Sequence, residues 1–245
     1  MSLIKAIDFS RWQGDVTYAT MKSMVDNHGI KMFILQGYGG GPGFAANPNL
    51  EKHLGYAISL GCYVAIYSLP SWNVREAIVA AGKYKDDLEF VAIDVEAGYG
   101  IRMSDVTYIR EQGLTPWIYT SESQWKFYGS IGYFNLPLWD ARYFNILYSI
   151  DNPPATMHPK YHYAEYGGWT QRAAWQYNGD VSVAGLQVDV SLVDEELLMT
   201  EDKIRNIAHD EAVKVKDEYN TSHYEDTHKF LDWAQNVGRQ PRLVL

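Results

Sequence analysis

One cysteine, Cys62, stands in a chain of 245 residues. No disulfide can form within the chain, and the apolar run CYVAIYS makes Cys62 a small core residue rather than a reactive one. Lysine and arginine nowhere cluster, and with 21 of them against 30 Asp and Glu the formal charge is −9. A groove that tracks phosphates needs such a cluster, so nucleic acid is not an expected partner. No segment approaches the roughly 18 uncharged apolar residues of a membrane-spanning helix, so no membrane insertion is expected. The first residues, Met1-Ser2-Leu3-Ile4-Lys5-Ala6-Ile7-Asp8, lack both a long apolar stretch and a small-residue cleavage site, and read as having no signal peptide. Disorder is excluded as the main state, because hydrophobic residues make up 47% of the chain and can fill a large core.

What the chain does have is alternation. Short β-rich runs recur at 3–10, 31–37, 62–68, 90–96, 115–121, 138–143, 172–177 and 186–191. Between the first six lie segments of helical spacing, near 16–28, 48–60, 73–86, 102–112 and 121–130. The later runs are separated by stretches rich in Pro, Gly, Tyr and Asn. Strand–helix alternation at this length predicts an α/β barrel with parallel pairing and an irregular final third.

The composition changes near residue 200. From Glu201 to Leu245 there are seven Lys/Arg and nine Asp/Glu in 45 residues, and glycine falls to Gly238 alone. Thr200-Glu201-Asp202 reads as a helix start and Ser222-His223-Tyr224-Glu225 as a capping box, so a charged helical hairpin is expected over 201–245 beside a barrel over 1–200. Its role stays open between packing against the barrel, wall binding and self-association.

The sharpest chemical feature is Asp94-Val95-Glu96. Acids two apart on a strand have α-carbons about 6.6 Å apart on one face, and the run FVAIDVE turns Val91, Ile93 and Val95 one way and Ala92, Asp94 and Glu96 the other. In a barrel the second face looks inward, so both acids emerge at the C-terminal mouth, where such barrels keep their active sites. Glycoside cleavage needs such a pair, one acid protonated to donate to the leaving oxygen and one carboxylate to support charge at the sugar carbon. LIKAIDFS brings Asp8 to the same mouth. His158 and His162 are four apart, but Pro159 between them breaks the helix that would align them on a metal, and no metal or cofactor is expected.

These residues sit in an ordered set: Asp8-Phe9-Ser10-Arg11-Trp12-Gln13-Gly14, Phe90 to Glu96, Pro137-Leu138-Trp139-Asp140-Ala141-Arg142-Tyr143, Ala174-Trp175-Gln176-Tyr177 and Val188-Asp189. Over about residues 4–195 the set resembles the glycoside hydrolase family 25 muramidases, the lysozymes of bacteria, fungi and phages. The resemblance implies an irregular TIM-like β/α barrel of eight strands and about five helices, to which the tail adds a C-terminal helical extension. It implies retaining hydrolysis of the β-1,4 bond after N-acetylmuramic acid in peptidoglycan glycan strands. Glu96 would be the acid/base, Asp94 the nucleophile or the carboxylate that orients the substrate's acetamide, and Asp8 and Asp189 the flanking aspartates. Mutual repulsion among them would keep Glu96 protonated while Asp94 stays ionised.

Aromatic residues reach 14%, and those at strand ends, Tyr38, Tyr67, Tyr119, Trp139, Tyr143 and Trp175 beside Gln176, are expected to stack on and hydrogen-bond the sugar. Trp12 is expected at the barrel rim or packed under it. The glycine-rich Gly39 to Gly43 departs from the family pattern and would reshape one wall of the cleft. With no signal peptide, a phage endolysin released by a holin or carried on a virion is the expected setting. The alternatives are a non-catalytic glycan-binding barrel and another barrel glycosidase acting on chitin-like chains.

Overall fold

A computed structural model of the chain describes residues 2–39, 45–70, 72–96, 98, 100–129, 132–133, 135–144, 147–157 and 165–198. Most of the glycine-rich loop, His158 and His162, and the tail 201–245 with its boundary near residue 200 lie outside the described residues.

Eight strands close into one barrel: β1 (Leu3–Phe9), β2 (Ile30–Tyr38), β3 (Tyr63–Ser68), β4 (Leu88–Asp94), β5 (Pro116–Thr120), β6 (Leu138–Ala141), β7 (Ala174–Val183) and β8 (Leu186–Asp194). Five helices make the crossovers from β1 to β6: α1 (Tyr18–His28), α2 (Leu50–Ser59), α3 (Trp72–Ala80), α4 (Met103–Glu111) and α5 (Glu122–Tyr128). Local chemistry sets several of their ends. Thr17 caps α1 by accepting from the Thr20 amide and Ser121 caps α5 by accepting from that of Gln124, each covering an amide the first turn leaves unpaired. Gly29 ends α1 in the left-handed conformation at φ 67°, which a residue with a Cβ adopts at a cost. No helix among the described residues is long and apolar enough to cross a membrane.

Neighbouring strands run parallel from β1 to β7, as the alternation predicts, but β7–β8 and β8–β1 are antiparallel. Chain length is the reason. A parallel return needs a crossover of about a dozen residues, whereas β7 and β8 are separated by Ala184 and Gly185 alone. Both turn residues have positive φ, 51° and 80°, the two-residue hairpin geometry whose twist matches the strands.

Strand periodicity divides the core in two. Val91, Ile93 and Val95 of the middle motif pack outward with Ile7, Phe9, Phe33 and Leu35 under the helices. Ala6, Ile34, Ala65, Phe90, Ala92, Trp117 and Trp139 fill the barrel interior. Phe90 and Trp117 stack there with centroids 3.9 Å apart and planes 5° from parallel, and truncating either to alanine would cost about 3–5 kcal/mol. Cys62 is buried and free, and burial pushes its thiol up to about 11, as expected of an inert core thiol.

Ala184 is exposed in its left-handed turn position, where L-residues other than Asn and Gly pay about 1–2 kcal/mol. Ala184→Asn is therefore expected to raise the melting temperature by about 2–4 °C in a thermal scan.

Candidate active site

Inward residues stack in layers because each strand repeats every two positions. Above the Phe90–Trp117 floor, Ala6, Ala65, Ala92 and Ala174 are small, and the indole of Trp139 fills the space they leave. Its Nε1 donates to Ser191 Oγ at 3.1 Å. Two residues further along their strands come Asp8, Gln36, Tyr67, Asp94 and Gln176, and Asp189 lies directly opposite Asp8 on β8. All lie at the barrel end where the parallel strands finish and the antiparallel β8 enters, the end that carries active sites in such barrels.

Glu96 lies two residues past Asp94. The residue between them is pinned on both sides by β5: Val95 donates its amide to the Tyr119 carbonyl at 2.9 Å and its carbonyl accepts from Thr120 Oγ1 at 2.8 Å. Val95 is buried in the outer core, so the strand's alternation continues beyond its formal end and leaves the two acids on the opposite, inner face.

Four carboxyl groups thus meet in one mouth, and among the described residues none of them forms an ion pair. All four are pushed above the usual carboxylate range. For Asp94 burial is the largest cause, followed by Glu96 and Asp8. For Asp8 it is burial, then Asp189, against the stabilising hydrogen bond from Gln176. Glu96 is raised by burial and by Asp189, and Asp189 by burial against the Asp180 amide. Glu96 is raised toward its protonated form as expected, but the expectation that Asp94 stays ionised is corrected, since Asp94 is raised as well. Burial is the largest cause at both Asp94, only 6% exposed, and the partly exposed Glu96, and it raises both. Asp94 Oδ1 is also buried without a hydrogen-bond partner among the described residues, an oxygen left for something else to satisfy.

The aromatic set divides. Tyr67 looks onto the acids, and burial together with Asp8, Asp94, Asp189 and Glu96 holds its hydroxyl protonated. Tyr119 and Tyr143 reach the same place through Gln176, donating to its Oε1 at 2.8 and 2.7 Å, and Tyr143 is half exposed at the lip. Tyr38 does not join them. A register shift between Gln36 and Tyr38 turns it out of the inward period, and it packs in the core under the helices. Trp139 is 1% exposed and supports Tyr119 and Tyr67 from below, at 4.5 and 6.2 Å between centroids, so it is floor and not a sugar-facing surface. Trp175 faces outward, donating to the Arg142 carbonyl under the Arg172 guanidinium. Gln176, expected to bind substrate, already uses both ends of its amide within the protein. Trp12 is 69% exposed on a 3-10 turn at the rim, Arg11–Gln13, which Ser10 and Gln13 cap reciprocally.

Two contributors escaped the sequence reading. Gln36 reaches up from β2 and accepts from the Arg11 amide at 3.3 Å; its place two residues after inward Ile34 was the available signal. The other is a bulge in β7, where Asp180 adopts φ 54° and donates its amide to Asp189 Oδ1 at 2.8 Å. A non-glycine residue in that region stores strain, and here the strained amide holds an acid. Nothing local in the sequence marks it.

The fold recurs among solved structures. A lysozyme from Streptomyces coelicolor superposes with a TM-score of 0.56 at 18% identity, over 81% of this chain and 97% of that one. The catalytic domain of the endolysin ply40, from bacteriophage P40 of Listeria monocytogenes, gives 0.54 at 16% identity over 80% and 96%. A family 25 glycosyl hydrolase from Bacillus anthracis gives 0.50 at 17% identity over 83% and 92%. This chain has the fold of those lysozyme barrels. No family model matches the sequence, and no curated protein matches it. In this barrel the motif residues Asp8, Asp94, Glu96, Gln176 and Asp189, far apart in sequence, become one cluster because each is the mouth-level residue of its strand or the residue just beyond.

A buried acid whose pKa is raised in the folded state makes that state bind more protons than the unfolded chain, so stability falls as pH rises from the ordinary carboxylate pKa through the raised one. Asp94→Asn removes that loss. The variant is expected to melt above the wild type at pH 7, by about 2–4 °C per kcal/mol recovered, with the gap closing as pH falls toward 4. A gap that stays constant with pH would show that ionisation of Asp94 is not its source.

Proposed function

We propose that this protein is an N-acetylmuramidase that hydrolyses the β-1,4 bond between N-acetylmuramic acid and N-acetylglucosamine in bacterial peptidoglycan. The observation that carries the reading is the cluster of four carboxyl groups, two buried and two half-buried, all raised in pKa, at the mouth of a barrel of lysozyme fold. Perturbed acids gathered at one barrel mouth are a mark of acid–base chemistry.

Glu96 is the proton donor. It is the partly exposed member of the pair, and burial beside Asp189 favours its protonated form. As the C1–O bond breaks, the proton of Glu96 passes to the leaving oxygen. Asp94 lies deeper. Its unpartnered Oδ1 accepts the N–H of the substrate's 2-acetamido group, and that bond favours the ionised carboxylate the empty site disfavours. The acetamide oxygen so oriented attacks C1, giving a bicyclic oxazolinium. Water, deprotonated by Glu96, opens it from the face the leaving group occupied, and two inversions give net retention. Tyr67 and Tyr143 offer hydroxyls to the sugar, and the chemistry calls for no cofactor.

The same reading makes residues 1–200 the catalytic part and keeps 201–245 as an extension that packs on the barrel, binds the wall or self-associates. Its setting is that of a phage endolysin, reaching the cell wall through a holin or on a virion.

Digestion of purified peptidoglycan with analysis of the new reducing ends tests the bond assigned. Muramic acid ends are expected, and glucosamine ends would redirect the reading to a different glycosidase. Glu96→Gln is expected to lower the rate by about 10²–10⁴-fold, the range of general acid–base contributions, while the melting curve stays cooperative.

A further inference from the structure

The amide of Gln176 is fully engaged in two directions. Its Oε1 accepts from the hydroxyls of Tyr119 and Tyr143 at 2.8 and 2.7 Å. Its Nε2 donates to Asp8 Oδ2 at 2.9 Å and toward Asp189 Oδ2 at 3.4 Å. Two donors converge on the oxygen and two carboxyl groups on the nitrogen, so the reversed amide would set its oxygen against both acids. The residue is 1% exposed. With its hydrogen-bonding capacity spent inside the protein, Gln176 has nothing left to offer a sugar.

Its surroundings show what it does instead. Asp8 and Asp189 face one another in register across β1 and β8, a pairing of like charges that a sheet normally avoids. Gln176, on β7, is the neutral group that gives each aspartate one N–H. A hydrogen bond from an amide favours the charged form of a carboxyl group, and a charged Asp8 and Asp189 in turn disfavour a third and fourth charge on Glu96 and Asp94. We propose that Gln176 is a positioning residue, an amide that ties Asp8 and Asp189 together as hydrogen-bond acceptors, favours charge on them against the burial that opposes it, and through that charge favours protonation of the neighbouring pair Asp94 and Glu96. The proposal rests on the muramidase reading for its consequence in turnover, and on the hydrogen bonds alone for its consequence in titration.

The groups facing this network come from every side. Asp8 is on β1, Tyr67 on β3, Asp94 and Glu96 at the end of β4, Tyr119 on β5, Tyr143 just beyond β6, and Asp189 on β8 with Asp180 behind it on β7. Among the described residues, no lysine or arginine is among the groups that act on the four acids. The tyrosines are neutral, each held protonated by burial and by the acids. The amide is therefore the main side-chain donor that offsets the repulsion between Asp8 and Asp189, assisted at Asp189 by the Asp180 backbone.

Replacing Gln176 by Met keeps length and removes both donors. Asp8 and Asp189 are then expected to take up protons at higher pH, and with their charge gone Glu96 and Asp94 ionise at lower pH. Carbon-13 NMR titration of the carboxyl groups in the full chain, without substrate, reads this directly. In turnover, the alkaline limb of the rate profile is expected to move about one pH unit toward acid, the scale on which a neighbouring charge moves a carboxyl group, and kcat is expected to fall more than KM rises. If the carboxyl titrations are unchanged in a folded Gln176→Met protein, the proposal fails. If KM alone rises and the pH profile stays put, Gln176 contacts substrate and the proposal also fails. Shifted titrations in a protein whose wild type makes no muramic acid ends would sink the muramidase reading and leave the wiring intact. Should Gln176→Met not fold, Gln176→Asn, whose shorter side chain draws the N–H groups back from both aspartates, is titrated in the same way, and unshifted acids there again overturn the proposal.

Discussion

Four carboxyl groups held close together in a mouth, with no paired cation among the described residues, are the constraint around which the upper half of this barrel is arranged. Desolvation and mutual repulsion both act against ionisation there, and the protein answers with dipoles rather than countercharges. Gln176 serves Asp8 and Asp189, the strained Asp180 amide serves Asp189, and Thr120 and Tyr119 pin the backbone between Asp94 and Glu96. Fixed dipoles leave the acids electrically unneutralised. A lysine in their midst would lower the very pKa values that proton donation needs raised.

The barrel beneath supplies the rigidity this requires. Small inward residues on β1, β3, β4 and β7 make room for Trp139, whose indole supports Tyr119 and Tyr67. The tyrosines then orient Gln176, so the order of causes runs from the alanines to the indole to the phenols to the amide to the acids. Each step is a close contact or a hydrogen bond. Closure by the antiparallel β8 matters equally, since only that strand puts Asp189 opposite Asp8.

Much of the fold was legible in the strand periods. FVAIDVE turns alternate residues to two different cores, and the structure places Val91 and Ile93 under the helices and Phe90 and Ala92 inside the barrel. The acids followed from the same period. Aromatic assignments by strand-end position fared less evenly, because position along a strand does not say which face survives a register shift, as Tyr38 shows, or how deep a layer lies, as Trp139 shows. The ionisation expected of Asp94 failed for a related reason, since repulsion is visible in a list of acids while desolvation depends on what covers each one.

By itself, then, the sequence determined the alternation of strands and helices, the two faces of each strand and the presence of acids at the strand ends, because these depend on spacings of two to four residues within one segment. The tertiary structure alone decided that β8 closes the barrel antiparallel, that Asp180 is bent to hold Asp189, and that Gln176 faces inward to four partners on β1, β5, β8 and the segment after β6. Those are matters of which strand lies beside which and at what register. Such contacts join residues as much as 168 positions apart, a distance over which local spacing carries no information and only closure of the barrel does.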